Sequence, residues 1–130
     1  VIAGTPFVLA ELAVELERLR DRVSRACVPL GFMRRLAERV ANTTALCLAC
    51  PEGMVVLTLD EGPGETIDAL VLLAVSTGER GAFQRLEPHM LAIARDLGAH
   101  RLGFYTERAG WRRLIGPEWK RDGELYWRGV

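Results

Sequence analysis

Residues 67–75 constrain this chain more than any other feature: apart from Asp68, Ile67-Asp68-Ala69-Leu70-Val71-Leu72-Leu73-Ala74-Val75 is unbroken aliphatic sequence. Turn-forming residues bound it, Gly62-Pro63-Gly64 before and Thr77-Gly78-Glu79-Arg80-Gly81 after. A short aliphatic run between such signals reads as a strand covered on both faces. Such a strand demands a layer of structure on each side of its sheet. The run is far shorter than the roughly 20 apolar residues that cross a bilayer.

The sequence after the run defines the core unit. Phe83, Leu86, Met90, Ile93, Ala94 and Leu97 recur with a helical period that stops at Gly98, with Pro88 inside the pattern. Residues 100–106 then read as another strand. Because a helix joins it to the central one, the two strands are expected to be parallel, with a right-handed crossover.

Upstream, Thr5-Pro6 has the signature of a helix start, and Leu9, Leu12, Leu16, Leu19, Val23 and Ala26 follow at three- and four-residue steps. The spacing predicts one long amphipathic helix, stopped by Pro29 and Gly31, and a second helix over 32–41. Residues 45–50 and 54–59 predict an antiparallel hairpin around Pro51-Glu52-Gly53. At the far end, a short helix is expected over 109–115 and a hairpin over 119–128, turning on Asp122-Gly123.

With 130 residues, 49% of them hydrophobic and 26% charged, the chain reads as one globular domain over 1–130. Its 17 Lys and Arg balance 17 Asp and Glu, so it lacks the positive field of a general nucleic-acid binder. Neither a membrane span nor a basic-then-apolar leader is visible, and a cytoplasmic location is expected. The three cysteines, Cys27, Cys47 and Cys50, are too few for a disulfide framework. Cys47 and Cys50 lie three apart on a strand and so face opposite ways, and no metal site is expected.

The order of elements, two helices, three strands, a helix, a strand, a helix and a strand hairpin, resembles the GNAT superfamily of N-acetyltransferases. The likeness covers roughly residues 5–128 and is carried in sequence mainly by 67–116. It implies an α/β fold, a GNAT-like mixed sheet with flanking helices, whose first strand is short or missing. In that family the central strand leads into a loop of Arg or Gln, two residues, Gly, one residue, then Gly or Ala. The loop amides and the following helix N-terminus hold the pyrophosphate of coenzyme A. Anchored on Leu86, Gly81 takes the central glycine, while Gly78 replaces the leading Arg or Gln and Phe83 replaces the second small residue.

The resemblance places cofactor contacts on Val75, Arg80, Gly81 and Ala82 and an acetyl-CoA groove between strands 67–75 and 100–106. It offers Tyr105 as the acid for a departing thiolate and Glu65 as a base. His89 and His100 show no catalytic partner in the sequence. Arg108-Ala109-Gly110-Trp111 and the 119–128 segment resemble the tails of small GNAT-like proteins of tailed bacteriophages. With the loop altered, that likeness implies a degenerate, non-catalytic GNAT-fold module. It would serve as a virion or assembly component, docked to a phage structural protein or to itself, in the host cytoplasm or the virion. The alternative is an acetyl-CoA-dependent N-acetyltransferase. Neither reading calls for a nucleic-acid or membrane partner.

Overall fold

The aliphatic run becomes a central strand, and the rest of the sheet is arranged around it. The computed structural model describes residues 2–25, 29–105 and 116–130. In chain order the elements are β1 (Val8–Leu9), α1 (Leu12–Arg18), α2 (Arg20–Arg25), α3 (Leu30–Ala41), β2 (Leu46–Cys50) and β3 (Gly53–Glu61). A 3-10 turn (Pro63–Glu65), β4 (Ile67–Ser76), α4 (Ala82–Asp96), β5 (Arg101–Tyr105), β6 (Lys120–Asp122) and β7 (Leu125–Gly129) follow. The strands form one seven-stranded sheet in the order β1-β2-β3-β4-β5-β7-β6. β4 and β5 are parallel, as the intervening helix requires, and the other neighbours are antiparallel.

Strand alternation sends side chains into two cores. Val55, Leu57 and Ala69 join Leu86, Met90, Ile93 and Ala94 of α4 on one face. Met54, Val56, Leu73 and Val75 meet Leu12, Leu19 and Leu36 of the N-terminal helices on the other. This double cover explains why β3 and β4 are nearly continuous apolar sequence. Pro88 is exposed and α4 runs through it.

The parallel pairing is short. It runs from Asp68 opposite Arg101 to Val71 opposite Phe104. At that limit β4 carries an extra residue: Leu57 pairs with Val71 and Val56 with Leu73, so Leu72 is bulged. A bulge bends its strand and increases the local twist. From Leu73 to Ser76, β4 is paired with β3 alone among the described residues. The two core strands therefore part at Leu72.

The N-terminus departs from the helix expected of it. Thr5 does not cap a helix; its buried hydroxyl donates to the Ile2 carbonyl at 2.7 Å and accepts the Phe7 N–H at 3.2 Å. Phe7, fully buried in the α4-side core, draws the chain into the sheet, and Val8–Leu9 pair with β2. Helix starts only after Glu11 and is broken at Leu19, where φ is −108°. The β2–β3 hairpin turns on Pro51-Glu52 as expected. The terminal hairpin closes with Asp122 opposite Leu125, so its turn is Gly123-Glu124, one residue later than the sequence suggests. The expected helix over 109–115, the Arg108-Ala109-Gly110-Trp111 turn and Cys27 lie outside the described residues.

Candidate functional site

Where β4 ends, the chain must turn from the sheet into α4, and two glycines make the turn. Gly78 has φ +86° and Gly81 has φ +77°, left-handed conformations that cost glycine little. The Thr77 N–H donates to the Glu52 carbonyl at 2.9 Å, and the Ala82 N–H donates to the Glu79 carbonyl at 3.0 Å. Among the described residues, no acceptor meets the N–H groups of Gly78, Glu79, Arg80 or Gly81. They lie at the positive end of the 15-residue α4.

Arg85, one turn into α4, clamps this loop. Its Nη1 donates to the Arg80 carbonyl at 3.0 Å and its Nη2 donates to the Glu52 carboxylate at 2.8 Å. The Glu79 carboxylate lies 3.7 Å from the same Nη2, so its negative charge beside the loop has a counter-charge. The hydrogen bond from Arg85 lowers the Glu52 pKa, and Glu52 raises that of Arg85 in return. Neither Glu52 nor Arg85 stands out in the sequence; a hairpin turn followed by a helix-surface arginine is ordinary surface composition.

Of the residues suggested as cofactor contacts, the fold brings Val75, Arg80, Gly81 and Ala82 to one end of β4. Val75 and Ala82 are buried and act as packing, while Arg80 is exposed and makes no ion pair among the described residues. Phe83 is half-buried in the first turn of α4. A Cβ placed on Gly81 would meet, among the described residues, only Nη1 of Arg85, at 3.1 Å. No atom of the Phe83 side chain lies within 4 Å of that Cβ position.

At Gly78 the fold supplies a group that the sequence did not suggest. A Cβ there would stand 2.9 Å from Cζ and Nη1 of Arg22, so the guanidinium from α2 occupies the space a side chain at 78 would take. The Arg22 side chain forms no hydrogen bond or ion pair with the described residues. Beside it a cleft of about 650 Å³ opens between residues 17–22 and the Thr77-Gly78 turn. The Thr77 hydroxyl oxygen on this cleft is buried and unpartnered, the one such side-chain polar atom among the described residues.

The two catalytic candidates are not brought together. Tyr105 is the first β5 residue past the last parallel pair, exposed at the mouth of the opening, and its hydroxyl donates to the Glu124 carboxylate. Glu65 lies in the turn before β4. With β4 10 residues long, Glu65 stands roughly 30 Å from the loop at about 3.3 Å per residue. At that closed end Arg101 bonds Asp68 and stacks 3.8 Å over the Trp127 ring. His89 packs edge-on against Phe7, and the His100 N–H donates to the Ile67 carbonyl at the closed end.

The buried cysteines serve the core. Cys47 and Cys50 belong to opposite faces of the sheet. Burial, with the Glu15 charge second, pushes the Cys47 thiol up to about 11, which keeps it protonated and non-nucleophilic at neutral pH. Among the described residues no group of His, Cys, Asp and Glu could hold a metal ion, and no helix is long and apolar enough to cross a membrane.

No protein-family model and no curated protein matches the chain. Solved structures do match it. A GNAT family acetyltransferase from Brucella melitensis in complex with acetyl-CoA superposes with a TM-score of 0.64 over 95% of this chain and 86% of that one, at 12% identity. An acetyltransferase from Streptococcus agalactiae gives 0.57 over 97% and 99% of the two chains, also at 12% identity. N-acetylglutamate synthase from Neisseria gonorrhoeae, complexed with coenzyme A and L-arginine, gives 0.57 at 14% identity, with 95% of this chain matching 32% of that enzyme. The chain therefore has the GNAT fold: a mixed sheet whose central parallel strands part beside a glycine turn and a helix N-terminus.

Proposed function

We propose that this protein binds acetyl-CoA, or a related acyl-CoA, and transfers the acyl group to an amine. The observation that carries the reading is the parting of β4 from β5 at the Leu72 bulge, which leads directly to the 77–81 turn with its unmatched amides. Along 73–76 the β5-side edge of β4 has no strand neighbour among the described residues, and an extended ligand carrying amide groups can pair with such an edge. The pantetheine arm of coenzyme A is a ligand of that kind. Its phosphates suit the turn, where N–H donors and the α4 dipole converge.

Bound acetyl-CoA supplies an activated thioester. The chain supplies the binding edge, the anion-binding turn clamped by Arg85 and Glu52, and Tyr105 Oη at the mouth as a proton donor for the leaving sulfur. Glu65, at the closed end of the strands, has no part in this account. The Brucella and Neisseria structures, solved with acetyl-CoA and coenzyme A, support the reading by their shared fold. No observation favours the virion or assembly role; of the two segments that suggested it, 108–111 lies outside the described residues and 119–128 forms the terminal hairpin of the sheet.

The direct test is a thiol-release assay with acetyl-CoA and a panel of small amines and amino-terminal peptides. The reading expects acceptor-dependent thiol release and acetylated product by mass spectrometry. Absence of both, with a protein that also fails to bind acetyl-CoA, removes it.

A further inference from the structure

We infer that Arg22, reaching from α2 onto Gly78, is a cation that binds the phosphate groups of coenzyme A. This rests on the acyl-CoA reading above and adds to it a residue from outside the phosphate-binding loop.

Three observations converge on one spot. Arg22 is half-buried and its guanidinium lies against Gly78 with no carboxylate or carbonyl partner among the described residues, in the space in which any other residue at 78 would place its side chain. A guanidinium with five donors and no acceptor is poised for an anion. The Thr77 hydroxyl is buried on the same cleft and also lacks a partner, and the N–H groups of 78–81 are unmatched.

Of the cations that line the cleft, Arg18, Arg20 and Arg22, only the Arg22 guanidinium has no acceptor among the described residues. Arg18 is occupied by the Cys50 and Gly53 carbonyls, each at 3.0 Å, and by Glu15. Arg20 pairs with Glu17, and Asp21 is exposed at the start of α2. The cleft is thus lined by Arg22, Thr77 and Gly78, whose guanidinium, hydroxyl and N–H donors are unused among the described residues, and by Glu17 and Asp21, of which Glu17 is paired with Arg20. Planar guanidinium, hydroxyl and backbone amides together are a phosphate-binding set.

Binding measurements on purified Arg22→Ala and Arg22→Lys, by calorimetric titration with coenzyme A, dephospho-coenzyme A and pantetheine, test this. Circular dichroism and thermal melting check that each variant keeps the fold. Arg22→Ala is expected to weaken coenzyme A binding roughly tenfold to a hundredfold, the effect of one charge-assisted contact, while pantetheine binding is unchanged. Arg22→Lys is expected to fall between, because lysine keeps the charge but not the fork. A loss that persists with dephospho-coenzyme A assigns Arg22 to the pyrophosphate, and a loss confined to coenzyme A assigns it to the 3′-phosphate; both support the inference. Equal weakening of pantetheine and coenzyme A would show a structural role and overturn it. Wild-type binding of coenzyme A that Arg22→Ala leaves intact overturns the inference alone, whereas no binding by the wild type removes the acyl-CoA reading together with it.

Discussion

Arg101 holds Asp68 with two parallel hydrogen bonds, Nε to Oδ1 at 2.9 Å and Nη2 to Oδ2 at 3.0 Å, across the first register pair of the parallel strands. Asp68 is 5% exposed, while the guanidinium keeps some contact with water and lies over Trp127. The pair fixes the closed end of the opening. Asp68→Ala should cost about 1.5–3 kcal/mol, the usual range for a hydrogen bond to a charged group, because Arg101 can recover some hydration. Urea denaturation checks this. Coenzyme A affinity of the folded variant should change little, since the loop lies at the other end of β4.

The Glu52–Arg85 pair joins the β2–β3 turn to the loop and acts on the loop's shape more than on stability. Both side chains reach solvent, so the pair contributes little to folding. Arg85→Ala should leave the melting temperature nearly unchanged yet weaken coenzyme A binding several-fold, by freeing the Arg80 carbonyl and the turn it holds.

The same pair predicts a pH dependence. Glu52 binds its proton more weakly in the folded chain than in the unfolded one, so its contribution is present above the unfolded value of 4.5 and is lost as pH falls through the folded value. The small difference in melting temperature between wild type and Glu52→Gln should therefore close as the pH is lowered from neutral to well below 4.5. A difference that is constant across this range contradicts the pairing.

Tyr105 tests the chemistry separately from binding. If its hydroxyl donates the proton to the leaving thiolate, Tyr105→Phe should lower kcat roughly a hundredfold with little change in KM for acetyl-CoA. Glu124→Gln, which removes the carboxylate from Tyr105, should lower kcat less than Tyr105→Phe does. An unchanged kcat in Tyr105→Phe removes Tyr105 from the mechanism.

The cysteines give a prediction free of any ligand. Cys47 and Cys50 are buried, and the Cys47 thiolate is disfavoured up to about pH 11. Iodoacetamide at pH 8 should label neither in the native protein and both after denaturation, as read by peptide mass spectrometry. Rapid native labelling of either contradicts the described packing.

The core unit was legible because local signals agree: an aliphatic run, a glycine turn, a helical period and a second strand point to the same arrangement. The N-terminal misreading has a local cause. Thr5-Pro6 and the leucine spacing carry the cap, proline and periodicity signals of a helix start, but burying Phe7 in the α4-side core pulls the chain into a strand first. The terminal hairpin slipped by one residue because Asp122-Gly123 and Gly123-Glu124 both suit a tight turn, and pairing of Asp122 with Leu125 decides between them.

The site was legible only in part. Gly81 and its loop follow from local sequence, whereas Arg22 against Gly78 and Arg85 against Glu52 are contacts between residues far apart in the chain, with no periodicity to announce them. Gly78 in sequence looks like the loss of a cation. In the fold it is the space that lets Arg22 in.

The central claim is that the opening beside β4 binds acetyl-CoA. Calorimetric titration of the wild-type protein with acetyl-CoA, paired with a thermal-shift series, tests it most directly. Saturable one-to-one binding is expected, with a melting temperature that rises with ligand concentration. No heat and no shift at millimolar acetyl-CoA would contradict it.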